Sequence, residues 1–281
     1  MESSSRAEQA TKVDIYTSNI VFIVAGTMAA LFNVLEMALI LKYKIKTNFQ
    51  KALFSLAVAD ELSGLLFLAG GIVGELTRQQ YITTNTVLTV LLMMISPAST
   101  ILSTCHVLLI AFDRFYAVYF PLRCHVMPKS RINCLIALIW VISSIILTVF
   151  LAVVLKYKAV ITMLTMTYGF LLASGCLIGI SYTLIAAKMS RCILNKNIGT
   201  VSSSMSRIQN RVLANATIIT VCFIACYYPI AIMMLSKTVD GIGIGASIHS
   251  FNCVFNPIIY SVSLLSRSRL QHRRTEATLS T

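Results

Sequence analysis

The chain has 281 residues, 57% hydrophobic and 12% charged, with a mean hydropathy of +0.81. That is far more apolar surface than a water-soluble globule needs, so a soluble enzyme is excluded at the outset. The net charge of +13, from 23 Lys+Arg against 10 Asp+Glu, does not indicate nucleic acid in such a chain. In a membrane protein the question is which loops hold the charge.

A polar stretch, MESSSRAEQATKVDIYTSN, precedes the first apolar run and lacks the basic leader and small-residue cleavage site of a signal peptide. The first span is therefore expected to act as its own uncleaved insertion signal. Seven apolar segments follow, at about 18–42, 51–75, 84–117, 131–155, 159–189, 208–235 and 242–264. Each is near the roughly 20 residues that cross a bilayer as a helix. Pro229 and Pro257 fall inside apolar runs, which membrane helices tolerate because neighbouring helices and water satisfy the freed carbonyls. The fold class expected is an all-α membrane protein. Its seven-helix bundle spans 18–264, between an extracellular tail at 1–17 and a short cytoplasmic amphipathic helix and tail at 265–281.

Seven spans place the two ends on opposite sides. The basic residues of 42–51, 123–131, 188–211 and 267–274 share one side, whereas the other holds Arg6, Lys12, Arg78, Lys156, Lys158 and Lys237. The positive-inside rule puts the amino terminus outside and the tail in the cytosol, in a multi-pass plasma-membrane protein. The inner surplus suits anionic lipids or an inner-face partner, or reflects topology alone. Six of the 8 cysteines lie within spans and Cys124 and Cys192 face the cytosol, so no disulfide is expected.

Ionisable residues in a bilayer are costly, and each is a functional candidate. Asp60 and Glu61 sit mid-span in the second segment, Glu36 in the first, and Asp113-Arg114 at the inner end of the third. A lone carboxylate there is alternatively protonated, or bonded to a neighbouring helix. Adjacent helical residues point about 100° apart, so Asp60 and Glu61 cannot both face the bundle centre. Asn252 and Asn256, four apart, share a helix face on which both could converge with Asp60.

Several motifs together carry a resemblance. Leu56-Ala57-Val58-Ala59-Asp60, Asp113-Arg114-Phe115 followed by Pro121-Leu122, Cys226-Tyr227-Tyr228-Pro229 and Asn256-Pro257-Ile258-Ile259-Tyr260 occur in order, one per expected span. With Asn33 and Trp140, this set resembles the rhodopsin-like (class A) G-protein-coupled receptors over about residues 18–272. The resemblance implies that Asp113 holds Arg114 at rest and that Arg114 meets a heterotrimeric G protein when released. It further implies that Tyr182 and Tyr260 bridge through water in the active form. Asp60, Ser103, Asn252 and Asn256 match the family's sodium pocket, and their oxygens suit a hard cation, so no cofactor is expected beyond an allosteric sodium ion. A polar network without an ion is the alternative. The acidic helix-six residue that often clamps the Arg corresponds to Gln209, which implies a weaker lock and basal activity.

Departures from the pattern are informative. The usual disulfide has no Cys near residues 84–89, the second outer loop shrinks to Lys156-Tyr157-Lys158, Ser174 stands near the common Pro of span five, and Tyr227 replaces the toggle Trp. This combination is similar to the melanocortin, adenosine, cannabinoid and lysophospholipid branch, particularly the melanocortin receptors. Asn256-Pro257 nevertheless keeps the family motif where melanocortin receptors carry Asp-Pro. Ser96 at the amine counter-ion position and Ser250 at the retinal Lys position argue against amine and light sensing. Ala69, Thr89 and Met93 replace the acidic calcium-assisted site of melanocortin receptors. The expected pocket wall is Met93, Ser96, Pro97, Thr100, Met166, Phe170, Tyr227, Met234 and His249. That wall is apolar and adaptable, which favours a lipid or small neutral molecule over a charged peptide; each Met taken singly is as readily bundle packing.

On the inner face, a groove between spans three, five and six should receive a G-protein helix, with Leu122 as an apolar knob and few phosphorylation candidates for arrestin in the tail. The rival readings are a non-signalling receptor-like heteromer partner and a seven-span transporter. The transporter would not predict the Asp-Arg and Asn-Pro-Ile-Ile-Tyr motifs together. No Gly-x-Ser-x-Gly, His-Glu-x-x-His or phosphate-loop motif supports an enzyme.

Overall fold

The computed structural model describes residues 2–42, 47–83, 86–120, 122, 130–157, 160–195, 218, 221–229, 231–232 and 248–261. Five helices are described at length: α1 (Glu2–Lys42), α2 (Asn48–Arg78), α3 (Thr86–Tyr119), α4 (Ser130–Tyr157) and α5 (Val160–Asn195). Parts of two more follow, α6 over 221–229 and α7 over 252–261. All five long helices contain stretches long and apolar enough to cross a membrane. The boundaries follow the hydropathy reading closely except in α1, whose membrane-competent part is Thr17–Lys42 but whose helix begins at Glu2. No Pro or Gly interrupts the chain before Gly26, so the expected tail continues the helix. The expected cytoplasmic helix and tail at 265–281 lie outside the described residues.

The start of α2 is defined by a capping box. The Gln50 N–H donates to Thr47 Oγ1 at 3.2 Å, and the Thr47 N–H donates to Gln50 Oε1 at 3.1 Å. At its other end Gln80 adopts φ 61°, the left-handed turn that stops a helix. Lipid is as apolar as leucine, so helix association relies on close packing and buried polar bonds rather than on hydrophobic burial. The α1–α2 contact meets this with small residues. A Cβ on Gly26 would stand 2.6 Å from the Gly64 carbonyl oxygen, and one on Gly64 would stand 2.6 Å from the Ala29 Cβ.

Helix α2 also packs on α3, and α3 packs on α4 and α5. One core cluster joins Leu53, Leu56, Val107, Ile110, Ile178, Tyr182, Phe223, Tyr227 and Tyr260. A second joins Ala29, Phe67, Cys253 and Val254, tying α1 and α2 to α7. Asn33 adds a buried polar tie, its Nδ2 donating to the Cys253 carbonyl at 3.0 Å. Helix α4 is different: among its described residues Ile132 and Ser143 are buried, while Leu138, Val141, Ile142, Ile145 and Val149 are exposed, as a lipid-facing helix requires.

Candidate functional site

Asp60 occupies the middle of α2 and is completely buried. The Ser103 hydroxyl of α3 donates to Asp60 Oδ1, and Asn256 Nδ2 of α7 donates to Asp60 Oδ2 at 2.9 Å. Three helices thus meet on one carboxylate, each oxygen of which is satisfied, as a buried charge requires. Glu61, one residue on, is only partly buried, so Asp60 is the inward member of the pair. Asn252 departs from the expected pocket. Its Nδ2 donates to the Tyr227 hydroxyl at 2.8 Å rather than reaching Asp60. The hydroxyl that a Trp would lack gives Asn252 a closer partner. The donor set still suits a small hard cation: the Asp60 carboxylate, the Ser103 hydroxyl and the Asn256 side-chain amide.

Towards one end of the bundle the Arg114 Nη2 pairs with the Asp113 carboxylate. The side chains are 28% and 21% exposed, far more open than Asp60. The face of the Arg114 guanidinium lies 4.4 Å from the centre of the Phe49 ring, and its buried Nε has no hydrogen-bond partner. Tyr182 and Tyr260 are both buried in the same core cluster. The Tyr260 hydroxyl has no hydrogen-bond partner and lies within electrostatic reach of Tyr182, Glu36 and Arg114. Pro229 and Pro257 lie within their helical segments. At the end of α3, Lys188 Nζ donates to the Tyr119 carbonyl at 3.3 Å and stands 4.4 Å from its ring centre, while the Tyr119 hydroxyl donates to the Leu184 carbonyl at 3.0 Å. This closes the end of α3 onto α5. Leu122 is 84% exposed at this end, free to meet a partner.

Away from Arg114, His249 is buried with Nε2 3.0 Å from Thr100 Oγ1. Its ring is enclosed by Tyr227 at 4.8 Å, Phe67 at 5.8 Å and Tyr168 at 6.2 Å. Tyr227 therefore touches His249 with its ring and Asn252 with its hydroxyl, joining this cage to the Asn252–Asn256 face of α7. Of the expected pocket wall, Thr100, Tyr227 and His249 come together. Met166 does not: it is 68% exposed, and Phe170 is also exposed, because α5 turns that face outward. Lipid accepts an apolar side chain as readily as a pocket does, so apolarity could not separate the two. Met93, Ser96 and Pro97 lie on α3, their side chains outside the described set; Met234 and Gln209 lie outside the described residues altogether.

Three features lie outside the family motifs, one of them, Glu36, already a candidate as an ionisable residue within a span. Trp140 Nε1 donates to Ser55 Oγ at 3.0 Å, and Ser55 Oγ stands 2.8 Å from His106 Nε2. His106 Nδ1 is 2.8 Å from the Leu102 carbonyl, which can only accept, so Nδ1 carries the proton and Nε2 accepts from Ser55. This chain ties the lipid-exposed α4 to α2 and α3. The second feature is the Phe49 contact, and the third is Glu36, 2% exposed with no hydrogen bond to its Oε1. A polar residue at an interior helical position was the available clue for His106 and Glu36; Phe49 offered none. Among the described residues Cys105, Cys134, Cys176, Cys222, Cys226 and Cys253 are free thiols.

A bundle of membrane-length helices, converging on a buried carboxylate and carrying an Asp-Arg pair at one end, is the architecture of a membrane receptor. The model of the family described as 7 transmembrane receptor (rhodopsin family) matches residues 32–260, and the chain belongs to that family. Its members are multi-pass membrane signalling receptors, not enzymes. No individual curated protein matches the chain.

Proposed function

We propose that the protein binds a lipid or small neutral molecule from the outer side of the plasma membrane and activates a heterotrimeric G protein on the cytoplasmic side. The observation that carries this reading is the Asp113–Arg114 pair, partly open at one end of the bundle and flanked by the buried Tyr182 and Tyr260. Separating such a pair costs energy unless a new partner replaces the contact, which is what a docking G-protein helix would do beside the exposed Leu122. Among its described residues the cage of Thr100, His249 and Tyr227 holds no carboxylate, Lys or Arg, which supports an uncharged ligand. Asp60 with Ser103 and Asn256 would hold a sodium ion, which supplies a positive charge that favours the resting form. The charge asymmetry supports an amino terminus on the outer side, and a basic inner surface would suit anionic lipids.

The test is ligand-free cyclic AMP and inositol-phosphate signalling in cells expressing the wild type and Arg114→Ala at matched surface levels. Basal signal that Arg114→Ala removes supports a G-protein-coupled receptor. Basal or lipid-evoked signal that persists undiminished in Arg114→Ala counts against Arg114 as the coupling residue, and no signal in either favours a non-signalling receptor-like partner.

A further inference from the structure

The capping box of Thr47 and Gln50 sets the first turn of α2 rigidly, and Phe49 projects from that turn. Its ring has two occupants from two other helices. Arg114 of α3 lies over its face at 4.4 Å, and Tyr260 of α7 meets it at 6.1 Å between centroids with an interplanar angle of 72°. Among the described residues the guanidinium has one ion pair, to Asp113, and one ring contact, to Phe49. A cation over an aromatic face changes an equilibrium by about two- to thirty-fold, depending on how far water is excluded. Here the guanidinium is about three-quarters covered, with its side chain 28% exposed. Phe49 is therefore a second hold on Arg114, one that needs no acidic residue.

The edge contact adds coupling. Tyr260 and Arg114 share the Phe49 ring, so displacement of either removes one of the contacts that fix it and weakens the hold on the other. We propose that Phe49 is an aromatic clamp, a positioning residue that keeps Arg114 and Tyr260 in the resting arrangement and frees them together. The clamp rests on the reading of Arg114 as the G-protein contact only for its consequence in signalling; the hold itself is a property of the three side chains.

The experiment labels full-length protein in native membranes with phenylglyoxal, an arginine-specific reagent, and follows Arg114 and the exposed Arg131 by peptide mass spectrometry, alongside basal signalling. Phe49→Leu and Phe49→Met should speed Arg114 modification by about three- to thirty-fold relative to Arg131, and Phe49→Trp should leave it at the wild-type rate. Tyr260→Leu should speed it too, and the double variant Phe49→Leu/Tyr260→Leu should be no faster than Phe49→Leu alone. Unchanged labelling in Phe49→Leu and Phe49→Met, or equal acceleration in Phe49→Trp, overturns the clamp whatever the signalling. Faster labelling with no basal signal in any variant keeps the clamp and counts against the G-protein reading. The Met variant retains bulk, so a packing defect in the Leu variant does not decide the outcome.

Discussion

The centre of the bundle and its Arg114 end hold charge in opposite ways. At the centre Asp60 is enclosed, with each oxygen bonded to a donor on a different helix. At the end Asp113 and Arg114 are partly open, held by one ion pair and one aromatic face, and the Nε stays unpaired. A closed, saturated site keeps a charge in place, whereas a half-open one can exchange its contacts for those of a partner. Between the two lies Glu36, as buried as Asp60 yet unpartnered at Oε1, and within electrostatic reach of Asp60.

Substitutions can break this contrast in order of size. Asp60→Ala leaves the Ser103 and Asn256 donors buried and unpaired, at about 1–3 kcal/mol each, and should lower the melting temperature more than any other change named in this paragraph. It should also abolish the rise in Tm expected of the wild-type protein when sodium replaces choline at constant ionic strength. A sodium response that survives Asp60→Ala places the ion elsewhere. Gly64→Leu forces apart the α1–α2 contact at Ala29 and should cost about 1–3 kcal/mol, read as a lower Tm. Glu36→Leu removes an unsatisfied carboxylate and should raise Tm by the equivalent of about 1–2 kcal/mol, the opposite sign to Asp60→Ala; a fall would show that Glu36 has a bonded role like that of Asp60. Trp140→Phe keeps the ring but loses the bond to Ser55, at about 1 kcal/mol, with the increase in hydrogen exchange concentrated in α4.

The boundaries of the spans were legible because a bilayer demands runs of apolar residues of fixed length, and Asn48–Arg78 and Ser130–Tyr157 sit within a few residues of the hydropathy reading. The amino-terminal extension of α1 was not, since polarity marks the membrane edge and not the end of a helix. Asp60, Ser103 and Asn256 were legible through spacing and motif, and they meet. Asn252 was assigned to the same site, but the hydroxyl of Tyr227 captures it, a choice that depends on the rotation of α6 against α7.

The sequence by itself determined that this is a membrane bundle with a buried carboxylate and an Asp-Arg pair, because burying charge in lipid is so costly that few positions permit it. Only the tertiary structure decided that Asp60 rather than Glu61 faces inward, that Met166 faces outward, and that Ser55, His106 and Trp140 form one chain. It alone brought Phe49 beneath Arg114. Each of these depends on the azimuth of one helix about its axis, and in a helix that is apolar on every side hydropathy carries no record of that angle.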